Sequence, residues 1–183
     1  MRPDHDFEVA SGQEASGFVK VVVADTSPLN YLVMLECDFL LPLLYSRIVA
    51  PPSVIGELSR EKSPPVVADW ASELPGWLEV LPPQGSPDAK LCLLDDGERD
   101  AIQLATEMSG VTVLIDEFSG RQEARSRGLP IIGTLGVLLD GQEAGLVDAL
   151  DRYHRLTRET TFRISAQLQQ NFLALLSARI KKS

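Results

Sequence analysis

Val19-Lys20-Val21-Val22-Val23-Ala24-Asp25-Thr26-Ser27-Pro28-Leu29 is the stretch that decides the fold. Residues 19–24 are β-branched and nearly all apolar, which suits a strand buried on both faces of a parallel sheet, and the run stops at an acid, Asp25. Thr26-Ser27-Pro28 then signals a helix start, because a hydroxyl can cap free N–H groups and proline is tolerated in a first turn. Leu29, Leu32, Val33 and Leu35 give that helix its apolar face. The same grammar returns downstream: Val111-Thr112-Val113-Leu114-Ile115 reads as a second buried strand, ends at Asp116, and leads into a polar helix carrying Arg121 and Arg125.

The rest of the chain fits around this repeat. Residues 39–45 suggest a short helix, and residues 47–50 a strand that Pro51-Pro52 breaks before an amphipathic segment over 54–60 bearing Glu57. Pro64-Pro65 opens another helix, and the alternation over 77–81 predicts an edge strand. Asp95 and Asp96 cap a helix from Gly97 to about Ser109, whose buried stripe is Ala101, Ile102, Leu104 and Ala105; Gly110 closes it. A short strand over 129–132 and helices over 135–143, 147–158 and 165–181 complete the list. Strands alternating with helices predict an α/β fold, a three-layer α/β/α sandwich around a central, mostly parallel sheet. Residues 1–18 lack periodicity and read as a flexible leader, so the domain is expected over 19–183.

Composition narrows the function. Hydrophobic residues at 44% and charged residues at 23% exclude disordered and fibrous classes. No apolar run approaches the ~20 residues of a membrane-spanning helix, and the N-terminal residues carry no secretory pattern, so a cytoplasmic protein is expected. Cys37 and Cys92 lack disulfide or zinc spacing, and His5 and His154 fall outside every motif. The net charge of −9 argues against broad attraction to nucleic acid, unless several acids face one metal-filled cleft and the cations invert the local field.

In open parallel sheets the ligand crevice lies at the carboxyl ends of the strands, where Asp25 and Asp116 both fall. Two carboxylates withdrawn from water at one crevice suit a hard, oxygen-liganded cation such as Mg²⁺ or Mn²⁺. The bland alternatives are that both aspartates merely cap helices and that Glu57 and Glu98 are solvated helix residues.

A family resemblance shifts the balance. Residues 23–29 resemble the opening motif of PIN domains, the VapC-like ribonuclease fold. Ile55-Gly56-Glu57-Leu58 resembles the family's second acidic block and Gly97-Glu98-Arg99-Asp100-Ala101-Ile102 its third. Leu114-Ile115-Asp116-Glu117 with Gly120-Arg121 resembles the fourth, and Gly133-Thr134-Leu135-Gly136-Val137 a segment typical of one PIN subfamily. The similarity spans about residues 20–172 and departs from the pattern in placing Glu98 where most members carry Asp; either Asp116 or Glu117 can serve as the fourth acid. Glu98, Ile102 and Ala105 stand at i, i+4 and i+7, on one helix face.

The resemblance implies a metal-dependent endoribonuclease in which Asp25, Glu57, Glu98 and Asp116 hold one or two Mg²⁺ or Mn²⁺ ions that activate water and offset phosphate charge. Thr26 or Ser27 would position a water or phosphate, or only cap the helix; Arg121 would reach a substrate phosphate, or only form a surface ion pair. It also implies an RNA substrate, a small antitoxin partner with this chain as the toxin, and a homodimer. The C-terminal stripe of Leu168, Phe172, Leu175 and Leu176 serves either as a partner surface or as packing on its own domain. Two rivals remain: a catalytically weak PIN-fold binding or regulatory protein, and a haloacid dehalogenase-type phosphatase. The latter needs a second Asp two residues after the first, where this chain has Ser27. A nucleotide-binding module would need a glycine-rich phosphate loop, absent after the first strand.

Overall fold

The computed structural model describes residues 20–180. The leader expected over residues 1–18 lies outside them, as do His5 and Val19. Five strands form one sheet: β1 (Val21–Ala24), β2 (Arg47–Ala50), β3 (Leu78–Val80), β4 (Val111–Leu114) and β5 (Ile131–Ile132), in the order β3-β2-β1-β4-β5. Every pairing is parallel, so the mostly parallel expectation becomes a wholly parallel sheet. Val21-Val22-Val23 aligns with Arg47-Ile48-Val49 on one side and with Val111-Thr112-Val113 on the other. β1 is thus central, which is why its sequence is continuously apolar rather than alternating.

Around the sheet run α1 (Thr26–Met34), α2 (Leu40–Leu44), α3 (Pro52–Leu58), α4 (Pro65–Ser72), α5 (Asp96–Glu107) and α6 (Phe118–Ser126). From β1 the chain steps one way to β2 and β3 through α1–α4, then back past β1 to β4 and β5 through α5 and α6. Parallel crossovers are right-handed, so the two directions place their helices on opposite faces and give the three-layer α/β/α arrangement. The face toward α5 and α6 is one apolar cluster: Val23, Val49, Val111, Val113 and Ile115 pack with Ala101, Ile102, Leu104, Ala105 and Ala124. Strand alternation leaves Val22, Ala24, Ile48, Ala50 and Leu114, all buried, for the other face. β3 is the edge strand that the alternation predicts, and an Arg47–Glu79 ion pair at 2.7 Å lies along this side.

The chain divides into two compact units, one ending at Thr134 and the other continuing from Leu135. The first holds the whole sheet. The second holds nearly all of α7 (Thr134–Glu143), then α8 (Ala149–Glu159) and α9 (Ala166–Ile180). In this unit Phe172 and Leu176 are buried, Phe172 lies 5.0 Å from Tyr153 ring to ring, and Arg179 bonds Asp140 at 2.8 Å and Glu143 at 3.1 Å. Phe172 of the α9 stripe thus packs within its own unit, while Leu168 and Leu175 are only partly buried.

Some boundaries differ from the sequence expectation. β1 begins at Val21, with Lys20 ahead of it, and α5 begins at Asp96 rather than Gly97. α8 begins at Ala149 rather than 147, because the Asp148 side chain accepts the N–H groups of Leu150 (3.0 Å) and Asp151 (3.1 Å) and so fixes the start. Among the described residues an additional 3₁₀ turn, Leu91–Leu93, fills part of the loop before α5, with Leu91 buried beneath it.

Candidate metal centre

The direction of chain travel reverses between β1 and β4, so the topological switch point lies between their carboxyl ends. Asp25 follows β1 and Asp116 lies two residues past β4. The Asp25 N–H donates to Leu114 O at 2.9 Å, extending the β1–β4 ladder to the first acid. Asp25 occupies the N-cap position of α1 but makes no side-chain cap bond, and it is 1% exposed. Its Oδ1 is buried with no hydrogen-bond partner among the described residues. The aspartate that caps in the ordinary way is Asp148, far along the chain; at Asp25 the side chain is turned to other use.

The other acids gather around it. Glu57, on α3, accepts from Thr26 Oγ1 at 2.6 Å and from the Gly97 N–H at 3.1 Å, which ties α1, α3 and the start of α5 to one carboxylate. Glu98, in the first turn of α5, is 5% exposed, with the Ser119 hydroxyl 3.4 and 3.5 Å from its two oxygens. Asp116 is clamped by Thr134, whose N–H donates to Oδ1 at 2.9 Å and whose Oγ1 donates to Oδ2 at 2.6 Å. Neither Glu57 nor Glu98 is a solvated helix residue: the Glu57 side chain is 13% exposed, and Glu98 shares its buried face with Ile102 and Ala105. Arg121 donates to Ile115 O at 2.9 Å and lies beside Asp116; Thr26 bonds an acid rather than a backbone N–H, and Ser27 is half-buried next to it.

Electrostatics agree with the geometry. Burial, reinforced by the charges of Glu98, Glu57 and Asp116 and opposed by the Thr26 N–H, pushes the Asp25 carboxyl up to about 8. Glu98 is also raised, by burial first and then by Asp95 and Glu117, while the Gly120 N–H and Ser119 oppose the shift. Asp116 is raised by burial against the pull of Thr134 and Arg121. The charge of Asp116 bears on Asp25, whereas that of its exposed neighbour Glu117 bears on Glu98 as well as on Asp116.

A family model described as a PIN domain matches residues 21–178, nearly the whole chain. The chain belongs to the PIN-domain family. No curated protein matches it. PIN domains are generally nucleases that use divalent metals. Among the described residues of this PIN domain, no helix is long and apolar enough to cross a membrane.

Three glycines make room for the acids, a feature the motifs contain but spacing alone does not interpret. A Cβ on Gly97 would stand 2.7 Å from Glu57 Oε2 and 2.6 Å from Thr26 Oγ1; one on Gly133 would stand 2.6 Å from Asp116 Oδ1. One on Gly120 would stand 2.7 Å from Glu98 Oε1 and would collide with Ile115 Cδ1. Gly97, Gly120 and Gly133 thus each leave empty the space that one carboxylate uses. Thr134 and Ser119, as donors to these acids, were likewise invisible until strands and helices were joined.

The donor set suits a hard divalent ion: four carboxylates, an unpartnered buried oxygen on Asp25, and mutual repulsion that a cation would relieve. Among the described residues no three Asp, Glu, His or Cys side chains already stand in metal-ligating geometry. Glu57, Glu98 and Asp116 are each turned onto protein donors, so binding an ion would exchange some of those bonds for coordination.

Proposed function

We propose that this PIN domain is a metal-dependent endoribonuclease that hydrolyses RNA phosphodiester bonds, with Asp25, Glu57, Glu98 and Asp116 as the catalytic, metal-holding acids. One observation carries the proposal: Asp25 is buried at the switch point with an unpartnered oxygen and three further acids around it. A fold has no use for such an arrangement without a cation, because desolvated like charges oppose folding. Mg²⁺ or Mn²⁺ held by these acids would supply an activated water and offset charge on the phosphate oxygens. The chain's own residues do the rest. Thr26 and the Gly97 N–H hold Glu57, Thr134 holds Asp116, and Ser119 lies against Glu98, so these donors position the carboxylates and would yield some of their bonds to an ion on coordination. Glu117, exposed and near Glu98, is the weaker candidate for the fourth ligand, since Asp116 is the one whose charge reaches Asp25.

The test compares wild type with Asp25→Asn on structured and single-stranded RNA, with Mn²⁺ and with chelator. Wild type is expected to cleave only with metal, and the variant to lose activity by at least about a hundredfold. Equal cleavage by the two proteins rejects the site. The reading extends to a toxin restrained by a small antitoxin and to a cytoplasmic homodimer, which co-purification with the product of an adjoining gene and sedimentation would address. A second reading, a PIN-fold binding or regulatory protein of weak activity, is favoured by the net charge of −9 and by the acids being turned onto protein donors. It predicts metal-independent RNA or protein binding that Asp25→Asn leaves intact.

A further inference from the structure

The β4–β5 ladder breaks its pattern at the rung beside Asp116. Val113 N–H donates to Pro130 O and Ile115 N–H to Ile132 O, each at 2.8 Å, with Val113 opposite Ile131 and Leu114 opposite Ile132. Carried one step further, a parallel ladder in this register would send the Thr134 N–H to Ile115 O. The Thr134 N–H goes instead to Asp116 Oδ1 at 2.9 Å, and Ile115 O accepts from Arg121 Nη1 at 2.9 Å. Two side chains have replaced one backbone bond: a carboxylate stands in for its acceptor and a guanidinium for its donor.

Gly133 lies at the break and gives the exchange its room. A Cβ there would stand 2.6 Å from Asp116 Oδ1, 3.0 Å from Arg121 Nη1 and 3.5 Å from Ile115 O, so the exchanged groups border the space that it leaves empty. All these residues belong to the sheet-bearing unit. Ile115 is wholly buried, and a buried carbonyl needs a donor. With Arg121 removed, the donor that the ladder offers Ile115 O is the Thr134 N–H, and Asp116 would lose it. Thr134 Oγ1, now 2.6 Å from Asp116 Oδ2, would move with its backbone.

We propose that Arg121 is a positioning residue: by occupying the Ile115 carbonyl it keeps the last rung of the β4–β5 ladder open, and so commits both donors of Thr134 to Asp116. The proposal rests on the nuclease reading above, in which Asp116 is one of the metal-holding acids. Charge and positioning then predict opposite signs. A guanidinium beside the acids repels a metal ion, so removing its charge alone would tighten metal binding. Removing a residue that orients a ligand weakens binding, by about ten- to a hundredfold.

The experiment uses the full chain, with Mn²⁺ binding read by titration calorimetry on the metal alone, and kcat and KM read on single-stranded RNA at saturating Mn²⁺. Arg121→Met, which keeps the length of the side chain and removes its donors and charge, is expected to weaken Mn²⁺ binding about ten- to a hundredfold and to lower kcat about tenfold, with KM within about twofold. Arg121→Lys, which still carries a donor for Ile115 O, is expected to recover most of both losses. Gly133→Ala presses on the same rung from the β5 side and is expected to weaken Mn²⁺ binding with Arg121 still in place. Unchanged or tighter Mn²⁺ binding by Arg121→Met would overturn the proposal, and a raised KM with Mn²⁺ binding and kcat unaltered would overturn it by making Arg121 a phosphate contact; cleavage by wild type keeps the nuclease reading in both cases. Mn²⁺ binding that Arg121→Met weakens, in a wild type that does not cleave, would uphold the positioning role and remove the nuclease reading.

Discussion

Asp25 is the buried carboxyl group whose proton is held most clearly above its ordinary range, with the charges of Glu98, Glu57 and Asp116 adding to the effect of burial. Its folded-state value of about 8 lies above the ordinary 3.8, so the folded protein holds this proton more tightly than the unfolded chain does. Relative to the ionised state, the stability that the protonated form contributes is fully present below about 3.8 and is lost as pH rises through about 8. Metal-free wild type should therefore lose stability across this window, by a few kcal/mol from Asp25. Asp25→Asn, which keeps the shape and removes the charge, should be the more stable protein at pH 8 and no more stable near pH 4. Urea unfolding of both proteins with chelator at several pH values checks this. A difference that stayed flat with pH would mean that Asp25 ionises freely. Glu98 and Asp116 are raised in the same direction, so only the difference between the two proteins isolates Asp25.

Elements, not single residues, bring the acids together. α1 and α5 each begin beside a strand end, and each presents a hydrogen-bond donor from its first turn, Thr26 Oγ1 and the Gly97 N–H, to the same Glu57 of α3. Gly97 makes that junction tight enough to work. Gly97→Ala would press its Cβ onto Glu57 and Thr26, both side-chain ends that can swing away, so the fold should survive with a cost of at most about 1–3 kcal/mol. The displaced carboxylate should lower cleavage by about a hundredfold. Gly56→Ala on α3 is the control: a Cβ there meets nothing within 4 Å, so it should stabilise by roughly 0.5–1 kcal/mol and leave turnover unchanged. Thermal unfolding and initial rates on the same preparations decide the matter, and equal rates for the two variants would refute the cradle.

At the scale of the whole molecule the acidic balance, −9 overall, and the buried acids of the sheet-bearing unit point the same way. A protein so charged gains most from a cation placed where its carboxylates already repel one another. Mn²⁺ at about a hundred times its dissociation constant should add about 2.7 kcal/mol, which for a chain of this size raises Tm by roughly 5–10 °C. Asp25→Asn should lose most of that rise, and its metal-free Tm at neutral pH should lie above that of metal-free wild type because the buried charge is gone. Scanning calorimetry with and without Mn²⁺ reads this with no reference to cleavage, and an equal rise in both proteins would place the ion elsewhere.

Most of the fold was legible in the sequence because buried parallel strands advertise themselves. Val21–Ala24 is apolar on both faces and Val111–Leu114 is so but for Thr112, and Pro51, Pro52, Pro64 and Gly110 punctuate the chain where elements change. The four acids were legible as residues, since each stands in a motif with a recognisable flank. Their meeting was not, because strand order is a non-local property: only the arrangement β3-β2-β1-β4-β5 sets Asp25 and Asp116 side by side across the switch point. The same holds for the bond from Gly97 to Glu57, 40 residues apart, and for Thr134 clamping Asp116 from 18 residues away. Sequence determined which stretches would bury themselves and where carboxylates would end up at strand termini, since those follow from local hydrophobic pattern. Tertiary structure alone decided which donors hold each acid and which glycine gives it room, since those depend on distances between segments that the chain order does not encode.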